Sequence, residues 1–147
     1  MTFETMVYLY QAAISLSGLP QVELTKMPII KQMPYEAMIA HVCKVDPDDC
    51  KNHPSIAGVF LPTTYEIVLL DSFDFDHNET DASFLVHELV HALQFNQNSD
   101  LTATCESTLA AEKQAYQVQN SYLSHHGQLY RAGDVLRFMS CSKGSQQ

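Results

Sequence analysis

Phe84-Leu85-Val86-His87-Glu88-Leu89-Val90-His91-Ala92-Leu93 is an apolar run interrupted only by two histidines and a glutamate. With Phe95 continuing it, the run reads as a helix, and the lack of a polar face marks that helix as buried on most sides. Residues four apart on a helix are rotated by about 40° and raised by about 6 Å, so His87 and His91 converge on one point, with Glu88 beside them. A buried helix cannot leave these three groups unpaired without a cost on the order of several kcal/mol. A metal ion satisfies all three, and HExxH is the layout of a zinc-dependent hydrolase.

Catalytic zinc takes three protein ligands, so two histidines are one short. Cys105, Glu106, Glu112, His125 and His126 are the candidates downstream. Asn96 to Leu101 reads as a turn and Thr102 to about Ser124 as a second long helix, which would fold back on the first. The motif helix runs about seven residues past His91, or about 10 Å. Counted from Leu101, Glu106 retraces about 7 Å of it, whereas Glu112 retraces about 16 Å and reaches the level of His87. Glu112 also shares its face with Leu109, Ala115, Tyr116 and Leu123, an apolar setting in which a carboxylate wants a cation. Glu106 lies on a stripe with Ala110 and Lys113 and in the first turn, where the helix dipole stabilises an acid. Glu112 is the expected third ligand and Glu106 the alternative. His125-His126-Gly127 ends the helix and reads as a solvated cap that can still face the cleft. His41, His53 and His77 stand alone in sequence and read as surface or loop histidines.

Outward from the motif, Phe3 to Ser17 has the apolar density of a packing helix stopped by Gly18 and Pro20. Gln21 to Lys31 is expected to form one strand, and Pro34 to Ala40 a helix with proline in its first turn. Asp46 to Pro54 reads as a loop. Ile56 to Leu61 and Tyr65 to Leu70 are strand-like runs joined by Pro62-Thr63-Thr64, the pattern of a hairpin. Asn78 or Thr80 is placed to cap the motif helix, and Asp81 suits its dipole. Gln128 to Met139 has helical periodicity through Leu129, Val135, Leu136 and Phe138, followed by a polar tail.

At 147 residues, with 46% hydrophobic and 17% charged side chains, the chain suffices for one compact domain. Eight basic residues against seventeen acidic ones argue against binding nucleic acid through phosphates or resting on an anionic membrane. The apolar stretch from Met6 to Leu19 is broken by Gln11 and Ser15 and has no basic residue before it, so it reads neither as a signal peptide nor as a membrane span. Cys43, Cys50, Cys105 and Cys141 permit three pairings. Local pairing of Cys43 with Cys50 and of Cys105 with Cys141 is preferred, which favours a periplasmic or secreted setting. Free thiols would instead fit the cytoplasm.

The motif residues resemble the gluzincin metallopeptidases, in which HExxH on one helix is joined by a glutamate from the following helix, here Glu112. The text is also similar to short bacterial zincin-like proteins, in which a Gly-Val-Phe strand, a second strand like Glu66-Ile67-Val68-Leu69, HELVHxLQ and ExxAYxxQ follow in order. That pattern covers Pro54 to Leu123, and Gln94, Ala115, Tyr116 and Gln119 match its flanks. The resemblance implies an α+β zincin-like fold, with a small mixed or antiparallel sheet packed on the HExxH helix and the following Glu-bearing helix. It makes 1–147 a single zincin-like metallopeptidase domain with a flexible tail from about 140. The chain departs from larger gluzincins in lacking room for their C-terminal helical domain. It also carries Tyr116 where thermolysin-like enzymes place an aspartate that orients a zinc-bound histidine.

The expected function is zinc-dependent hydrolysis of a peptide or protein substrate. His87, His91 and Glu112 hold Zn2+, and Glu88 takes a proton from water as general base and returns it to the leaving amine. Tyr116, Tyr122, His125 and His126 are candidates to stabilise the oxyanion. The Gly58 to Phe60 strand is a candidate edge for an extended peptide, with a plain core strand as the simpler alternative. Two competing readings stand beside this one: a catalytically silent zincin-shaped binding or inhibitory protein, and a coincidental, metal-free motif.

Overall fold

The computed structural model describes residues 1–52 and 56–141. His53, Pro54 and the polar tail from 142 onward lie outside the described residues. The elements are α1 (Phe3–Ser17), β1 (Ile29–Met33), α2 (Tyr35–Val45), α3 (Pro47–Asn52), β2 (Gly58–Leu61), β3 (Glu66–Leu70), α4 (Glu79–Gln97) and α5 (Cys105–His125). Short 3-10 turns occur at Leu24–Lys26 and Asp134–Phe138. The protein is therefore α+β. No helix among the described residues is long and apolar enough to cross a membrane.

The sheet is mixed, with strand order β1-β3-β2. β2 and β3 form the expected antiparallel hairpin, Phe60 opposite Ile67, while β1 runs parallel to β3 with Ile30 opposite Ile67. A parallel partner requires a crossover connection, and α2 lies within it. Side chains alternate across β3: Ile67 and Leu69 pack with Leu85, Leu89 and Leu93 of α4, whereas Val68 packs with Met38 and Val42 of α2. α1 and α5 cover the remaining sides of α4, which leaves Leu85, Val86, Leu89, Val90 and Ala92 without exposure. This all-round burial is what the featureless apolar run around the motif foretold.

Local chemistry explains the element ends. Thr2 caps α1 through the Thr5 N–H, and Gly18 ends it in the left-handed region at φ 71°. Asn78, rather than Thr80, caps α4 by accepting from the Asp81 N–H. Thr104 and Ser107 form a reciprocal capping box that starts α5 at Cys105, later than the expected Thr102, and α4 persists to Gln97. The turn is thus displaced toward the C-terminus.

Three other expectations are corrected. The strand placed at Gln21 to Lys31 begins only at Ile29 and ends at Met33, because Pro28 and Pro34 bracket it and neither has an N–H for the ladder. The loop placed at Asp46 to Pro54 contains α3, where Pro47 presets the first helical position and the Cys43–Cys50 disulfide ties the turn to α2. The helix expected at Gln128 to Met139 does not form. Gly133 at φ 97° interrupts it, and both amide atoms of Asn120 clamp the Ala132 backbone, at 2.8 and 2.9 Å. The Cys105–Cys141 disulfide then returns this segment to the start of α5, leaving Leu129 (96%) and Phe138 (86%) exposed. Both preferred cysteine pairings are present.

His41 is not the free surface residue its isolation implied. It hydrogen-bonds to Glu66, a buried carboxylate that also takes Lys31 Nζ at 2.8 Å and the Thr64 hydroxyl at 2.8 Å. Burial alone would raise the Glu66 pKa, but the bonds from Lys31, His41 and Thr64 outweigh it and bring it down to about 2. Because the folded value lies below the unfolded one, the stabilisation is complete above about pH 4.5 and is lost as pH falls toward 2. Wild type is expected to lose on the order of 2 kcal/mol more stability than Glu66→Gln between pH 5 and pH 3, measured by urea unfolding at each pH. Parallel loss in the two proteins would refute the assignment.

Candidate metal centre

α4 supplies His87, Glu88 and His91, and α5 packs against it to supply Glu112. His87 Nε2 and His91 Nε2 are 3.1 Å apart, Glu112 Oε2 is 3.7 Å from His87 Nε2, and Glu112 Oε1 contacts His91 Nε2 directly. The three ligand atoms all lie within 4.8 Å of one another. Nitrogen and oxygen donors about 2.0–2.1 Å from a tetrahedral zinc are about 3.3 Å apart, so this donor set fits one such ion after small adjustments. Two neutral imidazoles and one carboxylate are also the ligand chemistry of catalytic zinc.

The structure brings Glu112 to the cluster and leaves Glu106 exposed on the first turn of α5. The level assigned to Glu112 needs correction. With α5 beginning at Cys105, Glu112 has retraced about 10 Å, which matches the roughly 9 Å that α4 extends past His91. Glu112 therefore meets His91 most closely rather than standing at His87. Cys105 is committed to its disulfide. His125 Nδ1 caps the Ser121 carbonyl, and His126 bonds to the Tyr122 carbonyl and the Tyr8 hydroxyl, so neither joins the cluster.

Burial pulls the His91 pKa down, but Glu112, Glu88 and the Gln94 contact outweigh it and bring it to about 9. Glu112, which burial would raise, is instead held well below the usual carboxylate range by His87 and His91. A metal cation would take the place of that imidazolium proton, so its binding competes with protons. Glu88 is raised, first by burial and also by Glu112, against the opposing pull of both histidines and a hydrogen bond from the Phe60 N–H. A carboxylate kept above its ordinary range beside a metal position is suited to proton transfer.

Of the four oxyanion candidates, Tyr116 alone lies beside the ligands. Its ring meets that of His87 edge-on at 4.5 Å, and burial, with Glu112 and Glu88, pushes its phenol up to about 12. It is therefore a protonated donor through neutral pH. Tyr122 is tied to Glu79 and stacks on His126 instead. The outer nitrogens of the histidines face glutamines: His87 Nδ1 to Gln119 at 3.0 Å, and His91 Nδ1 to Gln94 at 2.8 Å. Their places in sequence carried a usable signal, since Gln94 follows His91 by three residues and Gln119 follows Glu112 by seven, both same-face helical intervals.

The fold and site define an α+β protein with a partly buried His-His-Glu cluster shared by two packed helices. Residues 19–133 match the family described as a domain of unknown function, DUF6647, and the chain belongs to that family. No curated protein and no solved structure matches the chain.

Proposed function

We propose that the protein is a zinc-dependent metallopeptidase in which His87, His91 and Glu112 hold the metal and Glu88 is the general base. The observation that carries this reading is the convergence of three zinc-type donor atoms within 4.8 Å next to a buried carboxylate that none of them needs as a ligand. Bound zinc would supply Lewis acidity and bring the pKa of a coordinated water toward 7. Glu88, as the carboxylate beside the three donors, would take a proton from the attacking water and return it to the departing amine. The Tyr116 phenol donates to the oxygen that gains charge at the scissile carbonyl.

A peptide substrate suits the sheet edge beside Glu88. The Leu70 N–H bonds to the Ala57 carbonyl, so by strand alternation Val59 and Leu61 face β3 while Gly58 and Phe60 aim their backbone groups outward. The Phe60 N–H reaches Glu88, so an extended chain added along this edge would pass beside that carboxylate. The two disulfides fit an oxidising compartment, periplasmic or extracellular.

Protein purified without chelators is expected to contain one zinc per chain by elemental analysis and to cleave members of a diverse peptide library, with loss of both on chelation and return of both on adding zinc. Full zinc occupancy with no cleavage would favour the catalytically silent binding protein. Absence of zinc binding would leave the motif as a proton-bridged cluster.

A further inference from the structure

Each metal-facing histidine is braced from behind by a chain of hydrogen bonds that ends on a backbone carbonyl. Gln119 Oε1 meets His87 Nδ1, Gln119 Nε2 meets Ser83 Oγ at 3.1 Å, and the Ser83 hydroxyl donates to the Thr80 carbonyl at 2.6 Å. On the other side, Gln94 Oε1 meets His91 Nδ1, while Gln94 Nε2 donates to the Ala111 carbonyl at 3.0 Å and to Gln114 Oε1 at 2.8 Å. Gln114 in turn donates its amide to the Ser17 carbonyl at the end of α1, at 3.4 Å.

A carbonyl only accepts, and this fixes the direction of every link. The one proton of Ser83 is committed to Thr80, so its oxygen must accept and Gln119 must turn its NH2 toward it. The oxygen of Gln119 then faces His87, where it requires an N–H at Nδ1. The same logic runs from Ala111 through Gln94 to His91. Ser83 is without exposure, Gln119 is 1% exposed and Gln94 7%, so water does not substitute at these links.

On the metal reading above, we infer that Gln119 with Ser83, and Gln94 with the Ala111 carbonyl, are two backbone-anchored relays that hold His87 and His91 as Nδ1–H tautomers, with Nε2 turned to the metal. Ser83, Gln94 and Gln119 are thereby positioning residues for the centre. Amide partners orient the imidazoles without adding negative charge behind them, which preserves the electron-withdrawing power of the bound ion; a carboxylate partner would raise ligand basicity. The relays also couple the ligands to three helices, since their far ends lie on α4, α5 and α1.

Ser83→Ala tests this by removing the far link of the Gln119 relay while leaving every imidazole, proposed ligand and glutamine in place. Zinc affinity, measured by competition with a chromophoric chelator, is expected to fall about 10-fold in Ser83→Ala and about 10–100-fold in Gln119→Ala. A purely structural role would move the melting temperature of the metal-free protein and leave zinc affinity alone. Long-range proton–nitrogen NMR of the metal-free wild type at neutral pH is expected to show His87 protonated at Nδ1, with both tautomers present in Ser83→Ala. Zinc affinities within about 3-fold of wild type in both variants, or a wild-type His87 carrying its proton only on Nε2, would overturn the relays. A wild type that takes up no zinc would refute the metal reading, and the tautomer of His87 would then decide the relays by itself.

Discussion

Glu88→Gln is expected to lower peptide cleavage by about 10³-fold in kcat while zinc stays bound, the span usual for losing a general acid–base. The change is isosteric, so the amide oxygen can still accept the Phe60 N–H, and Glu88 is not among the three donors that surround the metal position. It also removes a buried carboxylate that lies close to Glu112, so melting should be unchanged or slightly raised. Steady-state kinetics on a cleaved library peptide, with elemental analysis of the same sample, separate the effects. Cleavage within about 10-fold of wild type in the zinc-loaded variant would remove Glu88 from the mechanism.

On the proposed ligand set, Glu112→Ala should weaken zinc binding by more than about 100-fold, because loss of an outer-sphere partner alone typically costs about 10–100-fold and Glu112 would be a donor itself. Glu106→Ala is the matched control: the same substitution on the same helix, at an exposed carboxylate near the N-terminus. The metal-free variant gives a second readout. Glu112 supplies the leading upward influence on His91, which burial by itself pulls down, so His91 in Glu112→Ala should titrate well below its wild-type value of about 9. Zinc loss in Glu106→Ala with retention in Glu112→Ala would reverse the ligand choice.

The parts of the molecule legible in the sequence are those set by short-range pattern. The apolar density around His87 and His91 gave a buried helix, the runs at 56–61 and 65–70 gave a hairpin, and helical intervals put Glu112 rather than Glu106 on the inner face. The parallel pairing of β1 with β3 was not legible, since it joins Ile30 to Ile67 across a crossover and no local pattern encodes it. The C-terminal segment misled for a physical reason: Leu129 and Phe138 have helical spacing but are exposed, and Asn120, Gly133 and a disulfide dictate the path instead. Polar partners across elements were equally hidden. Glu66 looked like an ordinary strand residue until His41 and Lys31 closed around it.

Gly133 ties a loop position to the His-His-Glu cluster through bare clearance. A Cβ there would sit 3.0 Å from Cγ and 3.2 Å from Cβ of Tyr116, the stiff root of that side chain, and its φ of 97° already disfavours any other residue. Tyr116 in turn has His87 against its ring. One methyl added to an outlying loop would thus be felt as pressure on an imidazole carried by a different helix, and the tolerance of the centre to mutation extends as far as this glycine.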